Sequence, residues 1–216
     1  MTTRHQKHSK PSSTPRSAAS GPGQLRIIGG EWRGRKLHFT AAPGLRPSPD
    51  RVRETLFNWL MNTVAGAKCL DLFAGSGALG LEALSRGASA CHFVDNNRQS
   101  CSEISGHLGL LKCMTGRVVN SDAGTWLRQT PATPFDIIFL DPPFRGELLG
   151  ECCAALEGGG WLAPSAWIYI EAARDEALPA LPSNWRLHRD RAAGQVAYRL
   201  FLREEVHEEM REEPRD

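Results

Sequence analysis

The chain has 216 residues and is 41% hydrophobic, which suits one domain with a real core and a modest appendage. Its net charge of +2 hides an asymmetry, because residues 1–60 hold eleven Lys/Arg against three acids while residues 203–216 hold three Arg against seven acids. A basic front half fits a polyanionic partner, but it equally fits a solvated tail with surface arginines. The first thirty residues lack the apolar stretch of a signal peptide, and no run approaches the ~20 apolar residues of a membrane helix. A cytoplasmic protein is expected. Cysteines fall at 69, 91, 101, 113, 152 and 153 without a CxxC, and the histidines show no zinc-ligand spacing. No metal is expected, and the cysteines read as small core residues of a reducing compartment.

Residues 1–24 are rich in Ser, Pro, Thr, Lys and Arg and should form a disordered basic tail. Residues 25–66 read as a hairpin and helix extension. Leu25–Gly30, Glu31–Gly34 and Arg35–Phe39 suggest a glycine-turned β-hairpin with Trp32, Arg33, Arg35 and Lys36 around its turn. A proline-rich connector leads to a helix from about Asp50 to Val64, with Ser48 as its cap and Pro49 at its first position. Val52, Leu56, Trp59, Leu60 and Val64 would make its apolar face.

Residues 67–203 alternate strand and helix. Strands are expected at 68–73, 90–94, 117–120, 135–140 and 167–171, with helices at 78–86, 98–111, 123–129 and 146–156. Residues 186–190 and 196–202 suggest a closing antiparallel pair around Gly194. This alternation predicts an α/β fold with a mostly parallel sheet covered on both faces, binding ligands beyond the carboxyl ends of its strands. Residues 204–216 are an acidic tail.

Asp71-Leu72-Phe73-Ala74-Gly75-Ser76-Gly77-Ala78-Leu79-Gly80 closes the first of these strands and opens its helix. Gly75, Gly77 and Gly80 match GxGxxG, which fits a nicotinamide dehydrogenase as well as an S-adenosylmethionine enzyme. Asp95 ends the next strand about twenty residues on, where a carboxylate can accept both ribose hydroxyls of either cofactor. Asp71 can orient the loop and receive an amine. Asp122 can accept from an adenine amino group, cap the following helix, or do both. Phe73, Ser76, Asn96, Ala123 and Asp141 complete the candidate cofactor positions beside these acids.

Asp141-Pro142-Pro143-Phe144 follows the buried run Phe135–Leu140. Two prolines remove backbone donors where the strand leaves the sheet. What remains is acceptors and one flat ring, a chemistry suited to a planar group bearing an amine. Ordinary turn formation is the competing explanation. A dehydrogenase has no evident use for the arrangement.

The glycine loop and the Asp-Pro-Pro-Phe turn together resemble the S-adenosylmethionine-dependent amino-methyltransferases. The wider match is closer. Ile28–Leu37, Arg46–Leu60 and Gly194–Leu200 resemble the ribosomal RNA small subunit methyltransferase D family, over roughly residues 25–202. Ser48 stands where the family pattern leads one to expect threonine, which keeps the hydroxyl. The resemblance implies a Rossmann-like class I methyltransferase fold with a seven-stranded sheet. It implies S-adenosylmethionine as cofactor, and N2 of a guanine in bacterial 16S rRNA, free or in an assembling 30S particle, as target. It further implies that the Asp141 side chain and the Pro142 carbonyl hold the amine hydrogens, with Phe144 stacked on the base. Substrate contacts are then expected from Trp32, Arg33, Arg35, Arg46, Ser48, Arg51, Arg53, Pro143, Phe144 and Arg145. Any one of Arg46, Arg51 and Arg53 could instead belong to a salt-bridged helix start. A monomer without membrane or metal is expected. Two competing readings are an adenine-N6 methyltransferase and a non-catalytic RNA-binding assembly factor with a retained cofactor fold.

Overall fold

A computed structural model describes residues 23–40, 48–131, 133–143 and 147–205. The expected basic tail up to Pro22, the acidic tail beyond Glu205, and Arg46, Phe144 and Arg145 lie outside the described residues.

Among the described residues, nine strands and five helices follow in chain order: β1 (Gly23–Arg26), β2 (Lys36–Phe39), α1 (Asp50–Trp59), β3 (Lys68–Asp71), α2 (Ala78–Ser85), β4 (Ala90–Asp95), α3 (Arg98–Leu110), β5 (Gly116–Asn120), α4 (Ala123–Leu127), β6 (Phe135–Leu140), α5 (Glu147–Gly158), β7 (Leu162–Ala173), β8 (Trp185–Ala193) and β9 (Val196–Arg203). β1 and β2 form the N-terminal hairpin, and the other seven strands form one sheet in the order β5-β4-β3-β6-β7-β9-β8. β5, β4, β3, β6 and β7 are parallel; β9 and β8 close the edge antiparallel. This is the expected Rossmann-like fold.

The parallel strands are short apolar runs because both faces of the sheet are covered. Residues alternate between two cores. Ile137, Phe139, Tyr169 and Leu200 join one, with α1, α2, α3 and the hairpin. Ile138, Leu140, Ile168 and Ile170 join the other, with α4 and α5. The chain runs outward from β3 to β4 and β5, then returns to the opposite side of β3 as β6. The strand order therefore reverses between β3 and β6, and in sheets of this kind the ligand crevice lies outside the carboxyl ends of the strands at that point. Asp71 and Asp141 stand at those two ends.

Several boundaries differ from expectation. β1 begins at Gly23 because Gly23 and Gln24 pair with Phe39 and His38, so the ordered hairpin takes in two residues assigned to the tail. α1 ends at Trp59, and Thr63 and Val64 continue in turns through the Leu60 carbonyl. The expected face is nonetheless buried at Val52, Leu56, Leu60 and Val64. β7 starts at Leu162, with an irregularity in its pairing to β6 that strand patterning did not reveal.

Candidate active site

The glycine loop is held by carboxylates on two strands. Asp71 Oδ2 accepts the Gly80 N–H at 2.9 Å, pinning the first turn of α2 to the end of β3. Asp95 Oδ2 accepts the Gly75 N–H at 2.7 Å, and Oδ1 accepts the Asn97 N–H at 2.7 Å. Gly75 and Gly77 take positive φ values of 51° and 77°, which glycine adopts without steric cost. Gly80 serves packing instead, since a Cβ there would overlap Phe93 and the Cys91 sulfur; its absence lets α2 lie close on β4. Asp122 Oδ1 accepts the Thr125 N–H at 3.0 Å, so the helix-cap role expected for it is present, while the residue itself is not buried. Phe73 is half-buried, Ser76 and Ala123 are buried, and Asn96 is exposed beside Asp95.

Burial pushes the Asp71 carboxyl up to about 7, with nearby Asp95 adding to the rise and the Gly80 hydrogen bond opposing it. Asp71 shapes the loop through its bond to Gly80. Asp95 differs: it is half-buried, and each carboxylate oxygen retains a free lone-pair direction after its backbone bond.

Asp141 and Pro142 lie half-buried at the mouth of β6, and Pro143 is exposed. The Asp141 carboxyl is crowded from within. Burial raises it well above the usual carboxylate range, and the charges of Glu171 and Asp71 raise it further. Glu171, near the end of β7, is itself buried. Its Oε2 accepts the Ser48 hydroxyl at 2.8 Å and the Tyr169 hydroxyl at 2.8 Å. The crevice is therefore lined by acids from β3, β6 and β7. Ser48 is not the helix cap expected of it; Pro49 occupies the cap position and no side chain caps α1. The serine hydroxyl is spent on Glu171.

Two expected RNA contacts are corrected. Trp32 is only 9% exposed and belongs to the core shared by the hairpin and α2, so it supports the hairpin rather than gripping a ligand. Arg53 is 1% exposed. It bonds Asp50 at 2.6 Å, Glu82 at 3.4 Å, the Arg26 carbonyl at 2.9 Å and the Ser48 carbonyl at 3.3 Å, which consumes four of its five donors. It is the salt-bridged helix start. Arg33, Arg35, Lys36 and Arg51 are exposed.

Glu82 is the hub that sequence reading overlooked. It is fully buried in α2 and accepts the Ile28 and Gly29 N–H groups at 2.8 Å each and Arg86 Nε at 2.7 Å. One carboxylate thus ties the hairpin, α1 and α2 together. A Cβ on Gly30 would overlap the Ser85 carbonyl, so the hairpin docks on α2 by close backbone approach.

The family model described as "Conserved hypothetical protein 95" matches residues 25–202. Ribosomal RNA small subunit methyltransferase D of Escherichia coli K12 is 55% identical over 86% of this chain and 93% of its own length. The chain belongs to the ribosomal RNA small subunit methyltransferase D family. The Haemophilus influenzae methyltransferase D is 44% identical, over 83% of this chain and 94% of its own. The solved structure of yhhF from Escherichia coli superposes with a TM-score of 0.80 at 53% identity, covering 84% of this chain and 99% of that one. The family match spans the hairpin, the glycine loop and Asp141 alike, so it covers every element that builds the crevice. The hydroxyl at Ser48 has a visible purpose here, which explains why serine can replace an expected threonine.

The bonds of Ser48 and Tyr169 to Glu171 were not legible, because nothing in spacing joins residue 171 to Ser48. Among the described residues no group of three His, Cys, Asp or Glu side chains converges as a metal site, and no helix is long and apolar enough to cross a membrane.

Proposed function

We propose that this chain transfers a methyl group from S-adenosylmethionine to the exocyclic N2 amine of a guanine in bacterial 16S rRNA during small-subunit assembly. The observation that carries the reading is the placement of Asp141-Pro142-Pro143 at the strand-order reversal, beside the glycine loop, in a chain 55% identical to a named rRNA methyltransferase.

The donor set fits the cofactor. Asp95 offers free carboxylate lone pairs for ribose hydroxyls, Asp122 an accessible carboxylate for an adenine amine, and the loop of Gly75 and Gly77 leaves room for close approach. When bound, S-adenosylmethionine supplies an electrophilic methyl on a sulfonium. The chain's own residues handle the amine. A guanine N2 is a weak nucleophile because its lone pair spreads into the ring. Acceptance of its two hydrogens by the Asp141 side chain and the Pro142 carbonyl favours a pyramidal nitrogen with a localised lone pair. Phe144 is assigned from sequence to stack on the base, worth ~1–3 kcal/mol. The remaining acceleration comes from in-line placement. A paired guanine cannot enter such a crevice, so the target is a loop or flipped nucleotide.

Arg33, Arg35 and Lys36 on the hairpin, with Arg51 at the start of α1, supply exposed positive charge for the RNA backbone. The direct test is methyl incorporation into small-subunit RNA by the native chain and by Asp141→Ala. Incorporation is expected with the first and a loss of about a hundredfold or more with the second; equal incorporation would refute the role of Asp141.

A further inference from the structure

β8, the open edge of the sheet, carries Arg186, His188, Arg189 and Arg191. Strict alternation would put Arg186, His188 and Asp190 on one side and Leu187, Arg189 and Arg191 on the other. A bulge prevents this. Pairing to β9 steps from Leu187 against Phe201 to Arg189 against Leu200, which leaves His188 as the extra residue. Residues directly opposed on neighbouring strands share a face. Arg186, Arg189 and Arg191 oppose Leu202, Leu200 and Tyr198. Leu200 and Tyr198 belong to the core beneath α1, and Leu202 opposes Trp167, which packs on that core. The His188 ring stands edge-on to Trp167 at 4.9 Å between centroids. All these basic side chains therefore share the side of the sheet that carries α1 and the hairpin. Asp190, the acid of the strand, opposes Arg199 and pairs with it at 3.4 Å on the other side.

The charge of this face is open to solvent. Every residue from Arg186 to Ala192 is exposed. Arg186 meets Glu204 at 3.0 Å. Arg189 Nη1 reaches the His188 carbonyl at 3.1 Å, and neither Arg189 nor Arg191 has a carboxylate partner among the described residues. Trp167 and Trp59 lie half-buried alongside, the latter stacked on Tyr198 at 5.5 Å, and add flat apolar surface to the charge. The face is also continuous with the crevice. Leu140, Ile170, Arg199 and Asp190 stand in one row across β6, β7, β9 and β8. In the next row Arg191 is three strand spacings from Asp141, about 14 Å. Ser48 brings the start of α1, with the exposed Arg51, to Glu171 in that same row.

We propose that this face of β8 is a second RNA surface, which holds the backbone of the substrate strand as it leaves the crevice, with Arg189 and Arg191 on its phosphates. The proposal rests on the reading given under "Proposed function". An RNA that places one nucleotide at Asp141 must lay its neighbours on the surface around it. The hairpin docks on α2, which lies on β3 and β4, and β8 is at the opposite edge of the sheet. The two basic surfaces therefore flank the crevice. Guanidinium groups suit phosphates because their planar donors bind two oxygens at once. Charge on an edge strand also blocks pairing with other chains, but that purpose is indifferent to sign and face. Here the bulge sorts the bases from the acid.

Arg189→Gln combined with Arg191→Gln tests it. Binding of unmodified small-subunit RNA would be measured against salt, with calorimetric S-adenosylmethionine affinity as the check that the crevice is intact. We expect weaker binding at low salt, a slope of log affinity against log salt shallower by about two, and a higher KM for RNA in methylation. Arg189→Lys with Arg191→Lys keeps the charge and should keep the slope. Adding Arg33→Gln and Arg35→Gln to the glutamine pair should flatten the slope by about four, since distant sites act independently. An unchanged slope in the glutamine pair overturns the proposal. So does aggregation of that pair with native RNA binding, which assigns the arginines to edge protection. Native binding of free RNA with lost binding of assembling particles assigns the face to a protein partner and overturns it equally. If the pair does not fold, each single replacement should take about one from the slope, and no change in either refutes the surface. If the native chain methylates no RNA amine, the functional reading fails, and the salt series still decides whether this face holds RNA.

Discussion

Asp95 Oδ2 accepts the Gly75 N–H at 2.7 Å, so the acid ending β4 shapes the loop that ends β3. Both of its oxygens already hold backbone donors, which fixes the carboxylate before any ligand arrives. Removing it costs the loop its anchor and the ribose its acceptor at once. Asp95→Ala should weaken S-adenosylmethionine binding by roughly 1.5–3 kcal/mol, the range for hydrogen bonds to a charged group. Calorimetric titration measures this, and affinity close to that of the native chain would count against the assignment.

Glu82 has no exposure, and four donors converge on it from the hairpin, α1 and α2. Glu82→Ala takes the acceptor from two backbone N–H groups and Arg86 Nε and leaves Arg53 with Asp50 as its one carboxylate partner. Breaking one partner of a buried ion pair typically costs about 3–5 kcal/mol. Denaturant unfolding should show a loss of that order, and proteolysis should nick the hairpin first. A change below about 1 kcal/mol would mean that the hairpin docks by apolar contact alone.

Asp71 gives the fold a pH dependence of known sign. Its folded value of about 7 lies above the unfolded value near 3.9, so the folded state holds the proton more tightly. Its contribution to stability is complete below about pH 4 and is lost as pH rises to about 7, amounting to a few kcal/mol. Asp71→Asn keeps an acceptor for Gly80 but does not titrate. The stability difference between native and variant chains should therefore swing toward the variant across that window. A difference that stays flat with pH would mean that the Asp71 carboxyl titrates alike in the folded and unfolded chain.

The exposed Arg33, Arg35 and Lys36 predict salt-dependent RNA binding. Replacing Arg33 and Arg35 with glutamine should weaken affinity at low salt and flatten the slope of log affinity against log salt by about two. An unchanged slope would remove the hairpin as the RNA grip.

The alternation of strands and helices, the glycine loop and the Asp141 turn were readable because each follows from local rules: period, glycine placement and proline chemistry. Asp71, Asp95 and Asp122 were readable because acids at strand ends fall on one edge of a parallel sheet. Arg53, Trp32 and Ser48 were not, for a common reason. Each faces a partner far along the chain: Glu82 for Arg53, Ser85 and the α2 core for Trp32, Glu171 for Ser48. A basic or aromatic residue near a turn looks available in sequence, and only the tertiary contact shows that it is spent. Glu82 was hidden for the converse reason, since an acid inside an apolar helix looks like a solvated position until the hairpin folds over it.

The central claim is tested most directly by incubating the purified chain with methyl-labelled S-adenosylmethionine and small-subunit RNA or particles, then analysing the modified nucleosides. The expected result is label in N2-methylguanosine, lost in an Asp141→Ala variant that still folds and binds the cofactor. Label on adenine, no label at all, or near-native turnover by that variant would contradict it.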